Sequence, residues 1–166
     1  MKILFTSILT MLVFFGCSSD NKELSNVEAK LVVGKNLSNL NLKDQFEKTH
    51  KVDNSTKKVI FALSKDMAHI CNDYFETQDA NYLAKNNTLF VADISAAPSL
   101  IRSMFILPGI KDFKHPVILL DDKKQAAPYR AKIDVEKIII VHVNNSLITK
   151  IETITTAQEL KNIISN

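Results

Sequence analysis

The chain has 166 residues and a formal net charge of +3, with its lysines, aspartates and glutamates interleaved rather than gathered in blocks. That balance leaves no electrostatic footprint for nucleic acid, and three glycines, Gly16, Gly34 and Gly109, are too few to build a phosphate-cradling loop or a dinucleotide fingerprint. No nucleotide, flavin or nicotinamide cofactor is therefore expected, and the length suits one domain with a real core.

The first segment is Lys2, an apolar or hydroxyl-bearing run from Ile3 to Phe15, and the small residues Gly16-Cys17-Ser18-Ser19. A positive head, an apolar centre of roughly a dozen residues and a small-residue end predict an export signal over 1–16, too short for a spanning helix of ~20 residues. Gly16-Cys17 resembles the lipobox of bacterial lipoproteins. The resemblance implies a lipid on Cys17, a membrane anchor through that lipid and an envelope location facing the periplasm. Ser18 rather than Asp after the cysteine implies the outer membrane over the inner. Cleavage after Ser18 or Ser19, giving a soluble periplasmic protein, is the alternative. Removing 1–16 takes away Lys2 alone, so the charge becomes +3 − 1 = +2. Only Cys17 and Cys71 exist; with Cys17 acylated, Cys71 has no disulfide partner and the fold must rest on its core. Residues 17–30 are polar without an apolar period, which predicts a flexible tether ahead of a domain spanning 31–166.

Within that domain strand-like and helix-like signals alternate. Lys58 to Leu63 (KVIFAL) and Thr88 to Ile94 (TLFVADI) read as strands buried on both faces. Between them, Met67, Ile70, Cys71 and Tyr74 recur at i, i+3, i+4 and i+7, one stripe of a helix over 66–76. A second helix, with Pro98 in its first turn and Leu100, Ile101, Met104 and Phe105 apolar, is expected to stop at Pro108-Gly109. His115-Pro116 leads into a strand at Val117 to Leu120, followed by Asp121-Asp122 and Lys123-Lys124, which read as solvated turns. Lys137 to Val143 and Leu147 to Ile154 are strand-like about an Asn144-Asn145 turn. Thr156 and Glu159 have capping-box spacing for a last helix that buries Leu160, Ile163 and Ile164. Alternation of this kind predicts an α/β domain, a central sheet covered by helices.

This order of elements resembles the thioredoxin-like superfold, particularly its redoxin and peroxiredoxin branch, from Val33 onward. The opening Val33-Gly34-Lys35 through Asp44-Gln45 is similar to the lead-in of that branch, with Ser38 at its usual Pro and Leu40 at its usual Phe. By the same resemblance Phe46 to Lys51 is a hairpin turn and KVIFAL is the central strand feeding the active-site loop. His115-Pro116 falls where thioredoxins carry a cis-proline, so Pro116 and His115 are expected to edge a substrate groove. The loop Met104 to Ile110, with Phe105, and the residue Asp66 would border the same groove and are the candidate binding residues.

Thioredoxin chemistry needs an attacking thiolate and a resolving thiol in one loop. The corresponding tetrad, Asp66-Met67-Ala68-His69, has neither. The peroxiredoxin pattern Pro-x-x-x-Thr-x-x-Cys is matched by Ser64 to Cys71 only at its cysteine, because Ser64 and Ala68 replace Pro and Thr. Cys71 is the one candidate catalytic residue; on the stripe with Met67, Ile70 and Tyr74 it reads first as a core side chain. Neither Arg102 nor Arg130 has a motif around it. His50, His69, His115 and His142 are scattered without metal-ligand spacing, so no metal is expected. Three readings remain: a redox-inactive binding or accessory module for an envelope protein or peptide, a one-cysteine thiol peroxidase using Cys71, and a structural envelope protein.

Overall fold

The structure, a computed structural model, describes residues 27–165; the expected signal, Cys17 and most of the tether lie outside the described residues. The hairpin β1 (Asn41–Lys43) and β2 (Thr49–Lys51) precedes a five-stranded sheet of β3 (Lys58–Ala62), β4 (Thr88–Asp93), β5 (Ile118–Leu120), β6 (Ile138–Asn144) and β7 (Leu147–Ile154). The strand order is β5-β4-β3-β6-β7. β3 runs parallel to β4 and antiparallel to β6, pairing Ile60 with Phe90 on one side and Ile140 on the other. The central strand is thus covered on both edges and both faces, which is why KVIFA can be apolar without alternation.

Period-two geometry sends its side chains into two cores. Val59, Phe61 and Leu63 join Val91, Ile118, Leu120, Ile139 and Val141, under Ala126 and Tyr129 of helix α5 (Lys123–Arg130). Phe61 and Tyr129 stack there at 5.5 Å between ring centroids. Ile60 and Ala62 join Phe90, Ala92, Ile138 and Ile140, under Met67, Cys71 and Phe75 of α1 (Lys65–Glu76) and Leu160 and Ile164 of α6 (Ala157–Ile164). The short α2 (Tyr82–Lys85) places its Tyr82 hydroxyl 2.9 Å from that of Tyr74. Ordered packing begins ahead of Leu31: Ala29 is buried and the Lys30 N–H donates to the Pro128 carbonyl.

Three local readings are corrected. The 121–124 stretch is not a run of turns, because the Asp122 carboxylate accepts from the Lys124 and Gln125 N–H groups and caps α5. The helix after Pro98 does not stop at Pro108-Gly109. It runs through α3 (Ser99–Ile101), a π-helical stretch at Arg102–Ile106 and α4 (Leu107–Lys111). Pro108 stands where the wider π turn gives way to α geometry, so its missing N–H interrupts no regular α ladder. The buried stripe of α1 is Met67, Cys71, Asn72 and Phe75, while Ile70 and Tyr74 are half-buried. The capping box of α6 forms as the spacing predicts, with Thr156 and Glu159 bonded reciprocally.

Candidate functional site

α1 starts directly after β3, and its N-cap residue, Ser64, is extended (φ −128°, ψ 162°) and makes no capping bond with its side chain. Facing this junction is a cleft of about 660 Å³, roofed by Phe105, Ile106, Gly109, Ile110 and Phe113 and floored by Leu63, Ala92 and Val117. Ser64, Lys65, Ala68, His69 and Asn72 of the α1 side, the 93–97 loop and Arg130 complete the wall.

Arg130 comes to the cleft from α5, with Nη1 donating 2.8 Å to the Leu63 carbonyl and 2.6 Å to Asp93 Oδ2. The Asp93 side chain is fully buried and its Oδ1 accepts the Ser95 N–H. One guanidinium therefore ties the ends of β3 and β4 together beneath the mouth of the cleft. Sequence reading passed over it because its partners lie 67 and 37 positions away. Arg102, in contrast, turns to the Ser95 and Ala97 carbonyls and holds the loop above.

Cys71 is wholly buried, two turns into α1 and beyond reach of the helix N-terminal field. Burial pushes its thiol well above the ordinary value. His69 is exposed on the cleft wall. Of the expected groove residues, Phe105 lines the cleft and is 65% exposed. Asp66 is exposed on the first turn of α1 and does not line it, nor do His115 and Pro116.

His115 turns inward instead. Its ring is stacked on Phe113 and set edge-on to Phe75, each at 5.3 Å, with Nε2 3.0 Å from Asn72 Oδ1 and Nδ1 3.1 Å from Glu76 Oε1. Asn72 and Glu76 lie one turn apart on α1, so this histidine fastens the loop before β5 to the helix. Pro116 is half-buried and its peptide bond is trans. The polar groups either side of it are served by Gln45, whose amide donates to the His115 carbonyl (2.9 Å) and accepts the Val117 N–H (2.8 Å).

Burial holds the His115 imidazole below its ordinary value, against the opposing pull of Glu76. Because the folded protein then binds fewer protons than the unfolded chain, the contribution of this residue is complete above about pH 6.5 and is lost as pH falls towards the folded value. We expect the urea midpoint to fall between pH 7.5 and pH 5, above the range in which carboxylates titrate. His115→Phe should flatten that slope, and an unchanged slope in the variant would remove His115 as its source.

Among the described residues no three His, Cys, Asp or Glu side chains converge on a point that could hold a metal. No family model and no curated protein matches the chain. Solved structures do match. A peroxidoxin from Mycobacterium tuberculosis is 13% identical, with 80% of this chain and 94% of that one covered at a TM-score of 0.51. The thioredoxin domain of a thiol-disulfide oxidoreductase from Bacteroides vulgatus is also 13% identical, with coverages of 81% and 99% and a TM-score of 0.50. Reduced Prx3 from Vibrio vulnificus is 12% identical, with coverages of 82% and 99% and a TM-score of 0.50. The fold is thioredoxin-like. Identities at this level speak to architecture alone, so the chemistry of this domain has to be argued from its own side chains. In this thioredoxin-like domain the head of the helix after the central strand carries Ser64, Lys65 and Asp66, and the space above it is an apolar cleft.

Proposed function

We propose that the chain is a lipid-anchored protein of the bacterial envelope whose thioredoxin-like domain is a binding or accessory module without thiol redox chemistry. The observation that carries this reading is the position of Cys71: fully buried on the sheet-facing side of α1, with its thiol pushed up by burial, and with no thiol at the helix head. A thiolate nucleophile needs the opposite surroundings. What the helix head does face is a cleft of about 660 Å³, within the ~300–1,000 Å³ usual for ligand pockets.

Purified residues 18–166, which contain every described element, provide the test. Cys71 should label slowly with a thiol reagent in the native state and consume no peroxide in stopped flow. Cys71→Ser should cost only about 1 kcal/mol, the effect of a hydroxyl in an apolar site. Rapid, stoichiometric Cys71 sulfenic acid would overturn the reading in favour of a one-cysteine thiol peroxidase. The anchor has its own test, metabolic labelling with a fatty acid and mass spectrometry of the mature N-terminus. A free N-terminus at Ser19 or Asp20 would sink the anchor and leave the binding module standing.

A further inference from the structure

The cleft is chemically lopsided. At one end the β3–α1 junction gathers Ser64, Lys65 and the Arg130 guanidinium, which rests on the carbonyl of Leu63, the residue before Ser64. At the other end stand Phe105, Ile106, Ile110 and Phe113. The one carboxylate in the wall, Asp93, is already engaged by Arg130 and Ser95, so the Lys65 ammonium is the charge that the wall itself leaves uncompensated. Arg130 uses Nη1 for both of its bonds, and its remaining N–H groups have no partner among the described residues. Ser64 carries the only buried side-chain oxygen without a hydrogen-bond partner among the described residues. The first N–H groups of the 12-residue α1 go without a side-chain cap at the same place.

We infer that the cleft binds a single-chain amphiphile with a carboxylate head, a fatty-acid-like molecule, its head at Ser64, Lys65 and Arg130 and its chain along Phe105, Ile110 and Phe113. The inference rests on the binding-module reading and names its ligand class. An extended peptide fits less well, because recognition of that kind needs a free strand edge. The outer edge of β5 is bridged at Ile118 by Asp44, and the Val117 N–H is taken by Gln45.

Calorimetry on residues 18–166 with dodecanoate, dodecanol and dodecyltrimethylammonium, each below its micelle concentration, separates the two claims. Dodecanoate should bind one to one and about tenfold tighter than the cation, the difference a charge-assisted contact makes. Ser64→Ala and Lys65→Glu should weaken dodecanoate while leaving dodecanol unchanged. Gly109→Phe should abolish binding of all three at unchanged thermal stability, because Gly109 lines the cleft and a Cβ there meets nothing within 4 Å, which leaves room for a ring at the wall. Equal binding of the anion and the cation, both lost in Gly109→Phe, would overturn the carboxylate inference and keep the binding module. Binding of no probe, with an apolar peptide captured and lost in Gly109→Phe, would do the same. Amphiphile binding that survives Gly109→Phe would overturn the cleft itself and the inference with it.

Discussion

Phe75→Ala is expected to destabilise the domain by about 4 kcal/mol, the range for removing a large ring from a tight core. Phe75 is 1% exposed and sits where α1, β4 and the loop before β5 meet, its ring edge-on to Phe90 at 5.2 Å and to His115 at 5.3 Å. The other sheet-facing residues of α1, Met67 and Cys71, are thinner and cannot close the hole. Water reaching the hole would also hydrate the His115 imidazole and return it towards its ordinary value. The variant should therefore lose stability and lose part of its acid sensitivity together. Urea unfolding at pH 7.5 and pH 5 measures both, with Phe75→Leu as a control expected to cost far less. A loss below about 1 kcal/mol would mean that the loop and helix are not braced against one another as described.

The second large effect belongs to Arg130. Arg130→Met should cost about 3 kcal/mol, because it keeps the apolar stem but strands the Asp93 carboxylate, whose side chain has no solvent exposure and would retain only the Ser95 N–H. It also leaves the Leu63 carbonyl without its donor. The pair is better tested as a cycle than as a single loss. Asp93→Asn combined with Arg130→Met removes the uncompensated charge, so the double variant should be more stable than Arg130→Met alone, with a coupling above 1 kcal/mol. Additive losses would show that the two side chains act separately.

The sheet strands and the core beneath α1 and α6 were legible in the sequence because each depends on local pattern: KVIFA and TLFVAD are too apolar for a surface, and Thr156 with Glu159 announces the last helix. What was not legible depends on partners far along the chain. The resemblance of His115-Pro116 to the thioredoxin proline position points His115 to a groove, and a histidine before a proline says nothing about Asn72 and Glu76, 43 and 39 residues earlier. Arg130 was passed over for the same reason, and α5 with it, since Pro128 and a run of charges hide a helix whose cap is a single aspartate. Pro108 misled in the other direction. A proline ends an α-helix by removing one bond of its ladder, and a π stretch just before it makes that bond dispensable.

The topology has a temporal side. Ile60 pairs with Phe90, 30 positions on, and with Ile140, 80 positions on. A chain delivered N-terminus first thus presents its central strand long before β6 arrives to cover it. The parallel half, β3 with β4 and β5, can assemble early, but its inner edge stays open until the antiparallel pair β6–β7 joins. Such late, long-range closure makes for slow folding and a period of exposure to association. Shortening the interval, by a circular permutation that places 137–165 ahead of residue 58, should speed refolding without changing a single contact of the sheet.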